Sequence, residues 1–235
     1  MAGLIFINYY YIILVFTYGL SIIKMRPLNK VKIVWSPKFA YAVGLIATDG
    51  NLSSDGRHIS FTSKDYDCAI LYKNCLRLNS IIGRKSRSRG TDKKYYVVQF
   101  GDINFYKFLL SIGLAPNKSK TIGKLKIPKK YFYHFLRGCI DGDGNIHEFK
   151  HPESRHPQLR VRLFSASKKF VDWIRENTTR NRIKGYYGSA GKKRSVFVLE
   201  FAKVDSIKLL NLIYRQNNGI FLERKYLVAK KYLRV

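Results

Sequence analysis

The chain has 235 residues, and its 46% hydrophobic and 14% aromatic content suffices for a buried core, which excludes a wholly disordered protein. Its 44 Lys and Arg residues against 15 Asp and Glu residues give a net charge of +29. Such an excess repels itself in a compact fold, so it indicates a polyanionic partner whose phosphates attract Lys and Arg. Three cysteines without a CxxC pair (Cys68, Cys75 and Cys139) argue against a disulfide framework or a zinc ribbon.

Residues 1–24 differ from the rest of the chain. Residues 3–23 are nearly uncharged and rich in Ile, Leu, Phe and Tyr, and their length would allow a membrane span. They lack the basic start and the small-residue cleavage site of a secretory signal. The basic pattern begins at Met25, which is the only other methionine. This hydrophobic N-terminal extension is therefore either a membrane segment or an extension that precedes a translation start at Met25.

From Met25 onwards the predicted elements occur twice. The first helix starts at Ser36-Pro37, with Ser as N-cap and Pro in the first turn, and ends at Asp49-Gly50. The helix at 65–78 places Ala69, Tyr72 and Leu76 on one stripe. The remaining elements of this half are a strand at 58–63, strands at 83–89 and 94–100, and a closing helix at 104–112.

The second half repeats this order after a linker at 122–130. Its first helix ends at Asp143-Gly144, 94 residues after the first Asp-Gly (143 − 49). A strand at 158–166, a helix at 168–178, strands at 183–187 and 194–201, and a helix at 204–215 follow. The repeat predicts an α+β fold of two pseudo-symmetric αββαββα subdomains, residues 25–121 and 131–235, related by a pseudo-two-fold axis.

Small residues share one face of each Asp-Gly helix. Gly44 and Thr48 are four residues apart in the first helix, and Gly138 and Gly142 are their counterparts in the second. Small residues on one face allow two helix backbones to approach closely. If the two helices pack about the pseudo-two-fold axis, their C-terminal ends meet and bring Asp49 together with Asp143.

Two carboxylates at such a meeting point are unfavourable by themselves. They repel each other, and each lies at the negative end of a helix dipole. A divalent cation reverses this balance, and Mg²⁺ takes one or two carboxylates together with phosphate oxygens and water. A metal held by Asp49 and Asp143 beside a basic surface suits the hydrolysis of phosphodiester bonds. The alternative is a pair of helix-ending aspartates without a metal.

The segments Ala-Val-Gly-Leu-Ile-Ala-Thr-Asp-Gly (42–50) and Leu-Arg-Gly-Cys-Ile-Asp-Gly-Asp-Gly (136–144) resemble the nine-residue motif of the LAGLIDADG homing endonucleases. The resemblance extends over residues 36–235 and is to the single-chain type with two motifs. It implies a saddle of two antiparallel sheets along double-stranded DNA, cut on both strands across the minor groove with short 3′ overhangs. It also implies that the eighth motif residues, Asp49 and Asp143, are the catalytic metal ligands and that no second protein chain is required.

The sequence departs from the motif at its sixth position, which is Asp141 in the second half but Ala47 in the first. This position is not a metal ligand in the family, so activity is not put in doubt. The resemblance also implies polar residues after the first strand pair, at Ser63 and Ser167, and a basic catalytic residue after each closing helix. Those polar residues are followed by Lys64 and Lys168, and the basic candidates are Lys118 or Lys120 in the first half and Arg224 or Lys225 in the second.

The strands carry the residues that we expect to contact DNA. Arg and Lys on antiparallel strands can read base edges in the major groove, although a merely solvated basic face is the alternative. Two alternating rows of basic residues and three further side chains are the candidates: Lys85, Arg87 and Arg89; Arg160 and Arg162; and Gln99, Tyr187 and Arg194.

A short His-Glu-Phe-Lys-His segment, His147 to His151, matches the HExxH pattern of zinc proteases. That site requires a helix, so that both His side chains share one face. Here the segment follows the end of the Asp-Gly helix and Pro152 stops it, so we expect a strand or loop and no zinc site.

Four functions remain open at this stage. The favoured one is a site-specific, intron-encoded homing endonuclease that acts as a monomer in a prokaryotic cytoplasm or in an organelle. An RNA-binding maturase that acts on intron RNA would use the same scaffold. A non-catalytic DNA-binding regulator is expected to lose one or both of the two Asp residues, and both are present. A membrane protein accounts only for residues 1–24.

Overall fold

The computed structural model of the chain describes residues 11–15, 20–24, 29–86, 92–191, 195–215 and 219–233. It begins with two short antiparallel strands, β1 (Tyr11–Val15) and β2 (Leu20–Lys24). No helix within the described ranges is both long enough and apolar enough to cross a membrane.

The first half contains α1 (Pro37–Asp49), β3 (Gly50–Leu52), β4 (His58–Ser63), α2 (Tyr66–Cys75), β5 (Ile82–Lys85), β6 (Tyr95–Gly101) and α3 (Ile103–Ser111). A 3-10 turn follows at Lys118–Lys120, and a second one at Lys129–Tyr131 leads into the second half. The second half contains α4 (Phe132–Asp143), β7 (Gly144–Phe149), β8 (Gln158–Ser165), α5 (Lys168–Thr179), β9 (Tyr186–Ala190), β10 (Val196–Phe201), α6 (Lys203–Tyr214) and α7 (Glu223–Lys230).

Each half forms a four-stranded antiparallel sheet, and the two sheets have the same topology. The strand orders are β3-β4-β6-β5 and β7-β8-β10-β9. Side chains alternate across each sheet, so Ile59 and Phe61 of β4 are buried under the helices while their neighbours face outward. Leu159, Val161 and Leu163 are buried in the same way in β8. The predicted α+β fold of two repeated units is confirmed.

Helices α1 and α4 pack against each other at the centre of the molecule. The hydroxyl of Ser36 accepts the Phe39 N–H at 3.2 Å and caps the start of α1, next to Pro37. Residues 39–47 of α1 are all buried, so the helix is apolar on every side. Both helices end at the predicted glycine, Gly50 or Gly144, and there the chain continues directly into a strand in an extended conformation.

The backbones of α1 and α4 are in contact where Gly44 crosses Gly138. A Cβ added to Gly44 would lie 3.0 Å from the Cys139 nitrogen and closer still to the Phe135 carbonyl oxygen. A Cβ on Gly138 would meet the Tyr41 carbonyl group in the same manner. The obstructing atoms belong to the backbone, which cannot rotate away, so only glycine fits at these two positions.

Several elements differ from the sequence-based expectation. The strand predicted at 183–187 lies instead at Tyr186–Ala190, and Ile183 is buried in the segment that precedes it. Strands β3 and β7 were not predicted separately, since they follow their helices without a turn. Helix α7 was also missed, because its short, charged sequence carries little apolar periodicity. Strand β7 includes His147, in agreement with the expectation that the HExxH segment is not helical.

We predict that Gly138→Ala lowers the free energy of unfolding by about 3 kcal/mol or more, because the new Cβ forces the two helix backbones apart. Urea denaturation followed by circular dichroism measures the effect. Gly123→Ala is the matched control, since a Cβ there meets only the Lys169 Cβ at an ordinary 3.9 Å. Equal stability of the two variants would contradict the backbone contact.

Candidate metal centre and nucleic-acid interface

Two carboxylates meet at the C-terminal ends of α1 and α4. Asp49 is the last residue of α1, and Asp143 is the last residue of α4. A Cβ added to Gly142 would lie 2.7 Å from Asp49 Oδ2, so the Asp49 side chain rests against the end of α4, next to Asp143. The crossing at Gly44 and Gly138 thus produces the juxtaposition of acidic residues.

Thr48 and Gly142 complete the small-residue face of this crossing. A Cβ on Gly142 would lie 3.1 Å from the Thr48 Cβ, so the two residues are in contact across the helix pair. The Thr48 hydroxyl donates to the Leu45 carbonyl at 3.1 Å and lies 3.5 Å from Asp49 Oδ2. The four predicted packing residues therefore lie together along the seam that ends at the acidic pair.

The surroundings oppose the ionisation of this pair. Burial raises the pKa of Asp49 to about 7, and the neighbouring Asp143 charge adds to the shift. The pKa of Asp143 is also raised, because the protein around it displaces water. The positive charges of Lys225 and Lys118 act in the opposite direction on both carboxyl groups. Two ionised carboxylates are thus disfavoured here unless further positive charge arrives.

Two buried lysines point at the ends of the motif helices. Lys118, in the 3-10 turn after α3, donates a hydrogen bond from Nζ to the Gly50 carbonyl oxygen. Burial lowers its pKa to about 8. Lys225, in α7, donates from Nζ to the carbonyl oxygens of Ile140, Asp141 and Gly144 at 2.6, 2.8 and 2.8 Å.

The two lysines differ in how many of their N–H donors form hydrogen bonds to main-chain carbonyls. An ammonium group carries three N–H donors, and in Lys225 three main-chain carbonyls take them all. Within the described ranges Lys118 has one such bond. Lys120, the other candidate in the same turn, is exposed. The structure therefore places Lys118 and Lys225, but not Lys120, in the buried layer behind the acidic pair.

An open cleft lies beside the acidic pair and spans both halves. Its volume is about 690 Å³, and its walls carry Asp49, Asp143, Ser63, Lys64, Lys85, Tyr95 and Arg224 among others. The Arg224 guanidinium pairs with Asp65 at 2.7 Å and so connects α7 of the second half with the start of α2. Three cations, Lys64, Lys85 and Arg224, share this lining with four aspartates and with neutral residues, so the cleft offers phosphate-binding side chains beside the acidic pair.

The polar residues after the first strand pair are placed differently from the prediction. Ser63 lines the cleft, and its hydroxyl accepts the Asp65 N–H at 3.1 Å. Its counterpart in the second half is Ser165, which accepts the Ser167 N–H at the same distance of 3.1 Å. Ser167 itself is buried and donates to the Ile122 carbonyl, so the predicted equivalence of Ser63 with Ser167 was wrong by two residues.

The outward face of the first sheet is polar. Lys85 and Gln99 are exposed there, and Gln99 lies opposite Ser60 in the strand register. Lys85 lies opposite Tyr95, beside the cleft. Arg87, Arg89 and Arg194, which were also predicted to contact nucleic acid, lie outside the described residues.

The outward face of the second sheet carries Arg160 and Arg162, and both pair with Glu200 of β10. Glu200 was not predicted, although its alternation with the buried Leu199 and Phe201 places it on this face. Tyr187, a further candidate, turns to the opposite face, where its hydroxyl donates to Asp172 of α5.

The donor set is small for a metal centre formed by protein alone. Within the described ranges, no group of three or more His, Cys, Asp or Glu side chains is arranged to hold a metal ion. Two carboxylates at an open cleft that also carries Lys and Arg nevertheless fit Mg²⁺, which keeps several waters and is bound together with substrate phosphates.

No protein-family model matches the sequence, and no curated protein was found as a relative. Solved structures, in contrast, are similar in fold. The homing endonuclease I-DmoI in complex with DNA and Ca matches with a TM-score of 0.56 and 16% identity over 81% of this chain and 96% of that chain. Its complex with DNA and Mn matches with a TM-score of 0.51 and 16% identity over 75% and 96% of the two chains.

The N-terminal LAGLIDADG domain of DUF199/WhiA matches with a TM-score of 0.52 and 14% identity over 85% of this chain and 89% of that chain. These identities are low, so the likeness concerns the fold. The chain therefore has the LAGLIDADG fold, with the two motif helices at its centre.

Proposed function

We propose that this chain is a divalent-metal-dependent endonuclease that cuts double-stranded DNA at a specific site, with Asp49 and Asp143 as its metal ligands. The observation that carries the proposal is the meeting of these two aspartates, one from each half, at a cleft that also carries Lys64, Lys85 and Arg224. The net charge of +29 and the fold shared with I-DmoI in complex with DNA and Mn support it.

A divalent cation held at the two helix ends would offset the electrostatic conflict there. The raised pKa of Asp49, about 7, reflects first the burial of its carboxyl group and then the nearby negative charge of Asp143. When bound, Mg²⁺ would supply activation of a water molecule and stabilisation of the leaving oxygen. Asp49 and Asp143 would hold the ion where the two halves meet.

The basic side chains have separate tasks in this mechanism. Lys64, Lys85 and Arg224 line the cleft and bind the phosphates on either side of the cut. Lys118 retains N–H donors for a phosphate oxygen or a water. Lys225 acts on the site by its charge and by holding the end of α4, since its donors are already engaged.

Recognition falls to the outward faces of the sheets. Gln99 can form a bidentate pair with adenine in the major groove, and an Arg held by Glu200 presents an oriented guanidinium to guanine. Because each half supplies one aspartate and one sheet, one chain suffices for both strands of the DNA. A long site read in this way suits a homing function encoded by an intron.

The same assay separates this function from its alternatives. Two probes are used: the intron-less form of the gene that flanks the reading frame, as double-stranded DNA, and the intron-containing transcript of that gene. A maturase would bind the transcript without cutting the DNA, and a regulator would bind the DNA without cutting it. Cutting of the DNA that requires a divalent metal ion supports the endonuclease.

We predict that Asp49→Asn and Asp143→Asn each lower double-strand cutting at least about a hundredfold, because a metal ligand is lost. DNA affinity measured in Ca²⁺ should change less than about fivefold, since the phosphate-binding cations remain. The exposed Asp67 of α2 gives the control Asp67→Asn, which should cut as the wild type does. Full cutting by both site variants would remove the proposed mechanism, as would cutting that persists in EDTA.

We predict that metal affinity rises with pH. With a pKa of about 7, Asp49 is largely protonated at about pH 6 and largely ionised at about pH 8, so the affinity for Mn²⁺ should rise about tenfold between them. Calorimetry on the DNA-free protein measures it. A pH-independent affinity would show that Asp49 does not bind the metal.

The same raised pKa makes the stability of the metal-free protein fall with pH, whereas the metal affinity rises. A carboxyl group whose pKa is raised by folding stabilises the metal-free protein at low pH, and this contribution is lost as the pH rises through about 7. At about pH 8 without metal, Asp49→Asn should therefore have a higher Tm than the wild type. A lower Tm would contradict the unfavourable pairing of the two carboxylates.

We predict that the two buried lysines give different defects. Lys225→Met should lower the free energy of unfolding by about 2 kcal/mol more than Lys118→Met, since it removes three hydrogen bonds to carbonyl oxygens at the end of α4 rather than one. Lys118→Met should retain its fold and lose cutting about a hundredfold. The exposed Lys169 of α5 provides the control Lys169→Met. Equal unfolding free energies for the two lysine variants would contradict the assignment.

A further inference from the structure

Asp141, at the sixth position of the second motif, is buried behind the acidic pair, with 2% of its surface exposed. One of its carboxylate oxygens, Oδ2, accepts two hydrogen bonds. The Tyr41 hydroxyl of α1 donates at 2.8 Å, and the Leu222 main-chain N–H donates at 2.9 Å. A single oxygen thus joins the two motif helices to the residue that precedes α7.

The first half has no such junction. Each residue of the second motif helix corresponds to the one 94 positions earlier, so Ala47 corresponds to Asp141, and Phe135 corresponds to Tyr41. Ala47 and Phe135 are both buried, and neither side chain can form a hydrogen bond. Two polar side chains on one side of the pseudo-two-fold axis are therefore replaced by two apolar ones on the other side.

The segment that Asp141 holds carries two of the cations at the site. Leu222 is the N-cap residue of α7, and Arg224 and Lys225 lie in the first turn of that helix. Arg224 lines the cleft and pairs with Asp65 of the other half. Lys225 closes the end of α4. The position at which α7 begins therefore sets where both cations lie.

Lys118 of the first half is placed by different means. It lies in a tight turn that Asn117 enters with a left-handed φ of 53°. The N–H groups of Thr121 and Ile122 donate to the Lys118 carbonyl at 2.9 and 2.7 Å. This turn is held by its own backbone, whereas a helix of eight residues such as α7 is too short to be stable without tertiary contacts.

We propose that Asp141 is a positioning residue of the second half-site: by accepting the Leu222 N–H it fixes the start of α7, and so the places of Arg224 and Lys225 beside the acidic pair. The functional part of this inference rests on the proposed nuclease function. The structural part does not, because the docking of α7 can be measured without DNA.

The test compares three variants of the full chain. Asp141→Ala removes the acceptor. The double variant Tyr41→Phe/Asp141→Ala reproduces the apolar residues that the molecule already accommodates at Phe135 and Ala47, which limits the damage to packing. Asp141→Asn is the conservative variant, because an amide oxygen can accept the same two hydrogen bonds.

Hydrogen exchange read by mass spectrometry is the first measurement. We expect amides of α7 to exchange about tenfold faster or more in Asp141→Ala and in the double variant, with α1 and α4 of the double variant unchanged. In Asp141→Asn, exchange in α7 should stay within about threefold of the wild type. Wild-type protection of α7 in the double variant would overturn the proposal.

DNA cutting is the second measurement. In the double variant we expect kcat to fall about tenfold or more while KM changes little, and Asp141→Asn to recover most of the rate. A loosened α7 with unchanged kcat would overturn the positioning role. A wild-type chain that cuts no DNA would instead refute the proposed function, and exchange in α7 would then decide the role of Asp141 alone.

Discussion

The structure depends on the direct backbone contact between α1 and α4 at Gly44 and Gly138. Helices separated by ordinary side chains have axes 8–10 Å apart, whereas two facing glycines allow a closer crossing. This closeness brings Asp49 against the end of α4 and sets the two sheets on either side of one axis. A longer side chain at the crossing would separate the carboxylates as well as the halves.

The contact and the acidic pair could be predicted from the sequence, because both follow from the motif repeat and from helical spacing. The strands β4 and β8 could also be predicted, since their side chains alternate between buried and outward positions. Helix α7 could not, because its sequence is charged and contacts with other elements, among them α4 and Asp65, hold it in place. A local sequence pattern predicts an element when the periodicity of its own apolar residues marks it, and it misses an element that depends on contacts with the rest of the chain.

In the candidate site, too, some features follow from the local sequence and others depend on tertiary contacts. Lys225 was named among the basic candidates, but its three bonds to the end of α4 depend on where a missed helix begins. The error over Ser167 has a similar origin. The second strand pair ends at Ser165, and counting from the following lysine selected a buried serine two residues further along. Glu200 could have been found from strand alternation, had the register of β10 with β8 been known.

The unequal outward faces of the two sheets have a consequence for the DNA that would fit them. A dimer of identical subunits presents the same residues twice, so the sequence that it reads is a palindrome. In this chain Gln99 and Ser60 occupy the face of one sheet, and Arg162 with Glu200 occupies that of the other. Duplication within one chain frees each half to change alone, so an inverted repeat is not required and the left and right arms of a target can differ in base composition.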